Sequence, residues 1–158
     1  MNFQIRKAVP NDASAIARFQ IKMAMETENK RLDEATVLAG VESVLNHASN
    51  GFYVVAVQDG QSVGSLMITF EWSDWRNTQI WYIQSVYLEP EARGQGLFSK
   101  MFATVKQIAA SERVKVIRLY VETENQHAQN VYENLGMKRM PYYMYDINIE
   151  TENATDDH

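Results

Sequence analysis

The run Arg93-Gly94-Gln95-Gly96 has the clearest chemical potential in this sequence. It follows a β-prone stretch that stops at Glu89-Pro90. It leads at once into an amphipathic helical pattern with Leu97, Met101, Val105 and Ile108 on one face. The first N–H groups of a helix lack internal partners and sit at the positive end of its dipole. Glycines let a bulky anion approach the main chain closely, and Arg93 adds a full positive charge. Strand, glycine turn and helix start together suit a pyrophosphate cradle. A plain tight turn accounts for the same residues about as well. The run is not a Walker A loop, because no Gly-Lys-Ser/Thr follows. Nor is it a dinucleotide fingerprint, since Ser99 stands where a third glycine is needed.

Further along, Leu119 to Asn125 feeds a short helix with Ala128, Val131, Tyr132 and Leu135 on one face and Gly136 as its C-cap. A tyrosine on such a face is commonly core. An ordinary amphipathic helix with a glycine cap is the favoured account of this segment taken by itself. Glu26, Glu28, Glu71 and Asp74 offer charge to a cationic ligand, and Trp72, Trp75 and Tyr82 offer a cation–π or apolar wall. A solvated helix end and a tryptophan pair packing a hairpin explain them equally well. His127 falls on a solvent-facing position, and three scattered histidines make no metal site.

These side chains need elements to hold them. Phe3 to Val9 reads as a strand, and Pro10-Asn11-Asp12 ends it. Ile16, Phe19 and Met23 predict a helix to about Ala24, with a polar loop over Met25 to Arg31. A second helix is expected from near Asp33 to the Ser49-Asn50-Gly51 stop. Phe52 to Val57, Ser62 to Phe70, Gln79 to Leu88, Val116 to Val121 and Tyr142 to Ile149 read as strands, with Asp59-Gly60 turning the first hairpin. In the third of these the apolar phase moves from odd (Trp81, Ile83) to even (Val86, Leu88), which predicts a β-bulge near Gln84-Ser85. The expected order is β-α-α-β-β-β-α-β-α-β, an α/β (or α+β) fold with a mixed sheet. One domain over residues 1–149 and an acidic, frayed tail over 150–158 complete the expectation.

Composition narrows the function. With 15 basic and 20 acidic residues the net charge is −5, which disfavours a nucleic-acid backbone binder. No cysteine is present, so disulfides, thiolate metal sites and a covalent cysteine intermediate are excluded. No apolar run of bilayer-spanning or signal-peptide length occurs, which leads to the expectation of a cytoplasmic protein without membrane association.

Taken together, the two segments resemble the GNAT superfamily of N-acetyltransferases. Its Gln/Arg-X-X-Gly-X-Gly/Ala motif reads here Arg93-Gly94-Gln95-Gly96-Leu97-Phe98. The downstream match is Asn125-X-X-Ala128-X-X-X-Tyr132-Glu133-X-X-Gly136-Met137, preceded by Val86-Tyr87-Leu88-Glu89-Pro90. Phe98 departs from the pattern, which prefers a small residue and so leaves the cradle's shape open.

The resemblance implies an acyltransferase with acetyl-CoA as donor and a mostly antiparallel sheet flanked by helices. It implies that Val86, Tyr87 and Leu88 meet the pantetheine arm, and that Arg93, Gly94, Gln95, Gly96, Leu97, Phe98 and Ser99 hold the pyrophosphate. Asn125 is implied as a further pantetheine contact and Tyr132 as the acid. Related polyamine-type enzymes often carry glutamate where Gln84 stands. Gln84 would then orient water or substrate, and Glu122 is one candidate base. Glu28, Glu71, Trp72, Asp74, Trp75 and Tyr82 fall in the segments that form acceptor pockets. The implied acceptor is a small primary amine of polyamine, amino-sugar or amino-acid type. A protein N-terminus or lysine is the alternative acceptor, and a non-catalytic CoA-binding module is a rival reading. A homodimer through the aromatic run at Tyr142 to Tyr145 is slightly favoured.

Overall fold

The computed structural model describes residues 2–149, which divide into two compact units between Val121 and Glu122. The expected tail over 150–158 lies outside the described residues. In the first unit the elements are β1 (Phe3–Lys7), α1 (Ala13–Glu28), α2 (Glu34–Asn46), β2 (Phe52–Gln58), β3 (Gln61–Ser73), β4 (Thr78–Leu88), α3 (Leu97–Ser111) and β5 (Ile117–Leu119). The sheet order is β1-β2-β3-β4-β5, with β4–β5 parallel and the other pairs antiparallel. This is the mixed, mostly antiparallel α/β sheet that the sequence predicts.

Cross-strand partners share a face, so the register sorts the side chains. One face carries Tyr53, Val55 and Val57 of β2, which pack against Ala13, Ile16 and Ala17 of α1 and Val41 of α2. The opposite face carries Val54 and Ala56 with Leu66 and Ile68 of β3, all at 0% exposure. There α3 lies across the sheet, with Lys100 Nζ 5.4 Å from the centre of the Phe3 ring. Phe52, Phe70 and Trp81 extend that face as an aromatic group, Phe52 meeting Trp81 edge-on at 5.1 Å.

Several boundaries differ from the sequence reading, among them β1, which ends at Lys7 rather than Val9, and β5, which spans Ile117–Leu119 rather than Val116 to Val121. Helix α1 runs to Glu28 rather than about Ala24, closed by Asn29 in the left-handed conformation. Met and Glu are good helix formers, and the apolar period fades only because this turn leaves the core. Strands β3 and β4 continue to Ser73 and from Thr78, so Glu71 and Trp72 stand at the end of a strand that reaches beyond the expected Phe70. The closing strand expected over Tyr142 to Ile149 is absent: these described residues carry no ladder, and Tyr143 and Tyr145 are 89% and 92% exposed. β-Formers give a strand only where an edge pairs with them.

The second unit contains α4 (Gln126–Asn134). Asn125 caps it, its Oδ1 accepting from the Ala128 N–H at 3.1 Å. Gln129 is buried, donating from Nε2 to the carbonyls of Glu122 and Thr123 and accepting from Arg139.

Candidate functional site

The site begins with a break in the β3–β4 ladder. Ser65 pairs with Tyr87 and Met67 with Gln84, so Leu66 alone faces Ser85 and Val86. That is a bulge at the place the apolar phase predicts, and Ser85 takes the left-handed conformation at φ 53° to form it. Beyond the bulge the faces exchange parity. Tyr82 and Gln84 stand on the α1/α2 face, and so does Tyr87, which stacks on Phe19 of α1 at 5.4 Å. The parallel partner β5 pairs only with Trp81, Tyr82 and Ile83. From Gln84 to Leu88 this edge of β4 therefore has no β5 ladder.

Gly64 makes the closure after the bulge feasible. It pairs with Leu88, and a Cβ there would lie 2.7 Å from the Tyr87 carbonyl oxygen. The Glu89 N–H reaches the Val63 carbonyl at 2.8 Å and fixes the strand end.

The chain then turns through Pro90–Ala92 and Arg93 into Gly94 and Gly96, both at positive φ (76° and 72°). A Cβ on either glycine would meet nothing within 4 Å, so their role is backbone conformation and not close packing within the chain. Gly96 is the N-cap of α3, and no side chain caps this helix start. The Leu97 side chain is buried and anchors the first turn, while Ser99 is exposed. Phe98, the departure from the motif, stacks on Phe102 at 6.2 Å, so its ring is taken up by its own helix. The Gln95 side chain is tied back to the Glu91 carbonyl at 2.9 Å.

Arg93 is not loose. Its Nε–H donates to the Leu88 carbonyl at 2.9 Å and its Nη2 meets Glu26 Oε2 of α1 at 2.8 Å. Its guanidinium lies 5.5 Å from the Tyr87 ring centre, and the Tyr87 hydroxyl donates to Glu26 Oε1 at 3.3 Å. The hydrogen bond to Glu26 holds the Arg93 pKa above its ordinary value. Burial first, then the charges of Glu89 and Glu26, push Tyr87 up to about 12, so it remains a donor.

Glu26 also lines a cavity of about 760 Å³ between α1 and the start of α2, with Ile21, Lys22, Met25, Arg31 and Leu32. Glu28, singled out in the sequence, is exposed at the end of α1 and does not line it. On the same sheet face Gln84 Nε2 donates to Thr69 Oγ1 at 2.5 Å, and the Tyr120 hydroxyl stands 3.5 Å from Gln84 Oε1. Glu71 faces Arg118 at 3.6 Å. Trp72 lies one residue on, towards the opposite face, and Asp74 and Trp75 are in the β3–β4 turn, Trp75 94% exposed. Tyr82 is thus brought near Gln84, whereas the two tryptophans are not brought into a wall with it. In the second unit Asn125 is occupied as a helix cap, Glu122 is exposed, and Tyr132 is half-buried, its pKa raised by that burial. Thr69 and Arg118 were not singled out by sequence reasoning, and Glu26 was only one of four acids. The parity of Thr69 with Glu71, and of Arg118 with Tyr120, was the available signal.

The acetyltransferase (GNAT) family profile matches residues 17–137. The chain belongs to that family. It is 29% identical to the thialysine N-ε-acetyltransferase of Sus scrofa over 144 residues, 85% of this chain and 83% of that protein. It is 35% identical to the Bos taurus thialysine N-ε-acetyltransferase over 74 residues, a match spanning 47% of this chain but only 43% of the bovine protein. The crystal structure of a possible acetyltransferase from Clostridium difficile 630 superposes with a TM-score of 0.88 at 38% identity, covering 96% of this chain and all of that one. Among the described residues no cluster of metal-ligating side chains occurs, and no helix is long and apolar enough to cross a membrane.

Proposed function

We propose that this protein moves an acetyl group from acetyl-CoA directly to a primary amine of a small molecule, with residues 1–149 acting as one catalytic domain. The observation that carries the reading is the continuous piece from the β4 bulge to the uncapped start of α3. The open edge at Val86 and Leu88 suits an amide-bearing arm that adds like a strand. The N–H groups after Gly96, with Arg93 beside them, suit the pyrophosphate. The break in the ladder at the bulge suits a main-chain N–H that meets a developing oxyanion.

In the reaction the ammonium first loses a proton to water, and the neutral amine attacks the thioester carbon. The C–S bond breaks as the thiolate leaves, and the second proton, shed by the new amide nitrogen, replaces the one given to the thiolate. Tyr132, kept protonated by burial, is the donor we assign to that thiolate. Gln84 is acceptor and donor but not a base. Held by Thr69, it orients the amine or the water that takes its proton. Glu122 is not needed in this scheme. For the acceptor we favour an amino acid or short amine with a distal ammonium; the Sus scrofa relative is named for thialysine, acetylated at its ε-nitrogen. The cavity between α1 and α2 carries Glu26 for that charge.

The test is thiol release from acetyl-CoA against thialysine, lysine, polyamines and amino sugars, with thermal unfolding in free CoA alongside. Amine-dependent release supports the reading. CoA stabilisation without release for any amine leaves a binding module, and no stabilisation by either CoA ligand refutes the family's chemistry here.

A further inference from the structure

Glu26 belongs to two places at once: it lines the α1–α2 cavity, and its carboxylate holds the Arg93 side chain at the mouth of the glycine turn. We infer that Glu26 couples the two sites. Without acceptor it keeps the Arg93 guanidinium bound back, and a cationic acceptor group that takes its carboxylate frees Arg93 for the donor's phosphates. This inference rests on the acetyltransferase reading and deepens it.

The geometry supplies the reason. Glu26 stands in the last turn of α1, where the helix dipole is negative and a carboxylate gains by meeting a cation. In this structure that cation is Arg93 at 2.8 Å. Of the two cations lining the cavity, Lys22 is already committed to Glu89 at 2.7 Å. Arg93 is doubly restrained, by Glu26 and by the Leu88 carbonyl, and that carbonyl lies on the edge proposed for the pantetheine arm. Both demands on Arg93 therefore oppose donor binding until one is relieved. Arg93 and Glu26 are each a little under half exposed. A pair of that exposure shifts an equilibrium by at most about fivefold, so the coupling is modest. By linkage the same factor acts in both directions, the donor also easing acceptor entry.

The experiment is calorimetric titration of free CoA, which permits no turnover, at constant ionic strength with and without 1,5-diaminopentane. Wild type, Glu26→Gln, Arg93→Gln and the double variant are compared, with folding checked by melting. Expected are about two- to fivefold tighter CoA binding by E26Q and weaker binding by R93Q, with E26Q adding nothing on the R93Q background. Diaminopentane should tighten CoA binding to wild type by a similar factor and leave E26Q unmoved. Equal or weaker binding by E26Q overturns the inference. So does tightening that persists without Arg93, which is a simple field effect of the lost charge, or an amine effect absent from wild type or undiminished in E26Q. Should R93Q fail to fold, the amine comparison between wild type and E26Q decides. CoA binding to none of these proteins would instead refute the acetyltransferase reading itself.

Discussion

Replacing Gly64 by alanine tests whether the strand after the bulge is held by close packing. The added methyl would sit 2.7 Å from the Tyr87 carbonyl oxygen and also strike the Leu88 side chain. The Leu88 side chain can rotate away, but the carbonyl belongs to the backbone. It can retreat only if β4 shifts outward at the residues paired with Ser65 and Gly64. Overpacking that forces backbone movement costs about 1–3 kcal/mol. For a chain of this size that corresponds to roughly 3–9 °C in Tm. The same shift displaces the edge at Val86 and Leu88, so CoA affinity should fall by at least about threefold. Thermal unfolding and calorimetric titration of free CoA on the same preparations read both effects. A G64A protein melting within about 1 °C of wild type and binding CoA unchanged would refute the claim that this approach fixes the strand.

Gly96→Ala should cost about 1 kcal/mol in urea unfolding, because the N-cap of α3 sits at φ 72°, where an L side chain is strained. Tyr132→Phe should lower turnover by about a hundredfold or more with CoA affinity unchanged within twofold, the signature of a lost proton donor. Asp12 is buried, which alone would raise its pKa. The hydrogen bonds from Arg6 and the Val9 N–H, with the charge of Arg6, outweigh that and hold it low. Its contribution to stability is thus full above the unfolded value of about 3.9 and is lost as pH falls through the lower folded value. Asp12→Asn should therefore destabilise at pH 7 by about 2 kcal/mol and flatten the acid limb of the stability curve, measured by urea unfolding from pH 7 to 2.

The parts of the site that depend on local chain chemistry were legible in the sequence. Two glycines before an apolar helical pattern can hardly be placed otherwise than as a turn and a helix start. The change of phase between Ile83 and Leu88 placed the bulge to within a residue. What the sequence hid depends on partners far along the chain. The Glu26–Arg93 pair joins residues 67 positions apart, and nothing in either neighbourhood marks them for each other. Thr69 and Arg118 acquire their relation to Gln84 and Glu71 only through the β3–β4–β5 register. The exposure of the tryptophans was hidden too, because aromatic side chains on a hairpin read the same whether they wall a pocket or point to solvent. The run from Tyr142 misled. Its residues favour a strand, but a strand is a property of two segments, and among the described residues this one has no neighbour in a ladder.

The donor cradle proposed here is built chiefly from main chain: a strand edge left open by a short β5, a bulge, two glycines in open space and the first N–H groups of α3. Peptide groups are the same whatever side chain they carry. Random substitution at Val86, Leu88 or Ser99 therefore alters what hangs beside the cradle and leaves the groups that form it in place. The proposed acceptor-side contacts, made by side chains on α1 and β4, have no such insulation. Over many generations such a protein can drift in the amines it accepts while its dependence on one donor stays fixed.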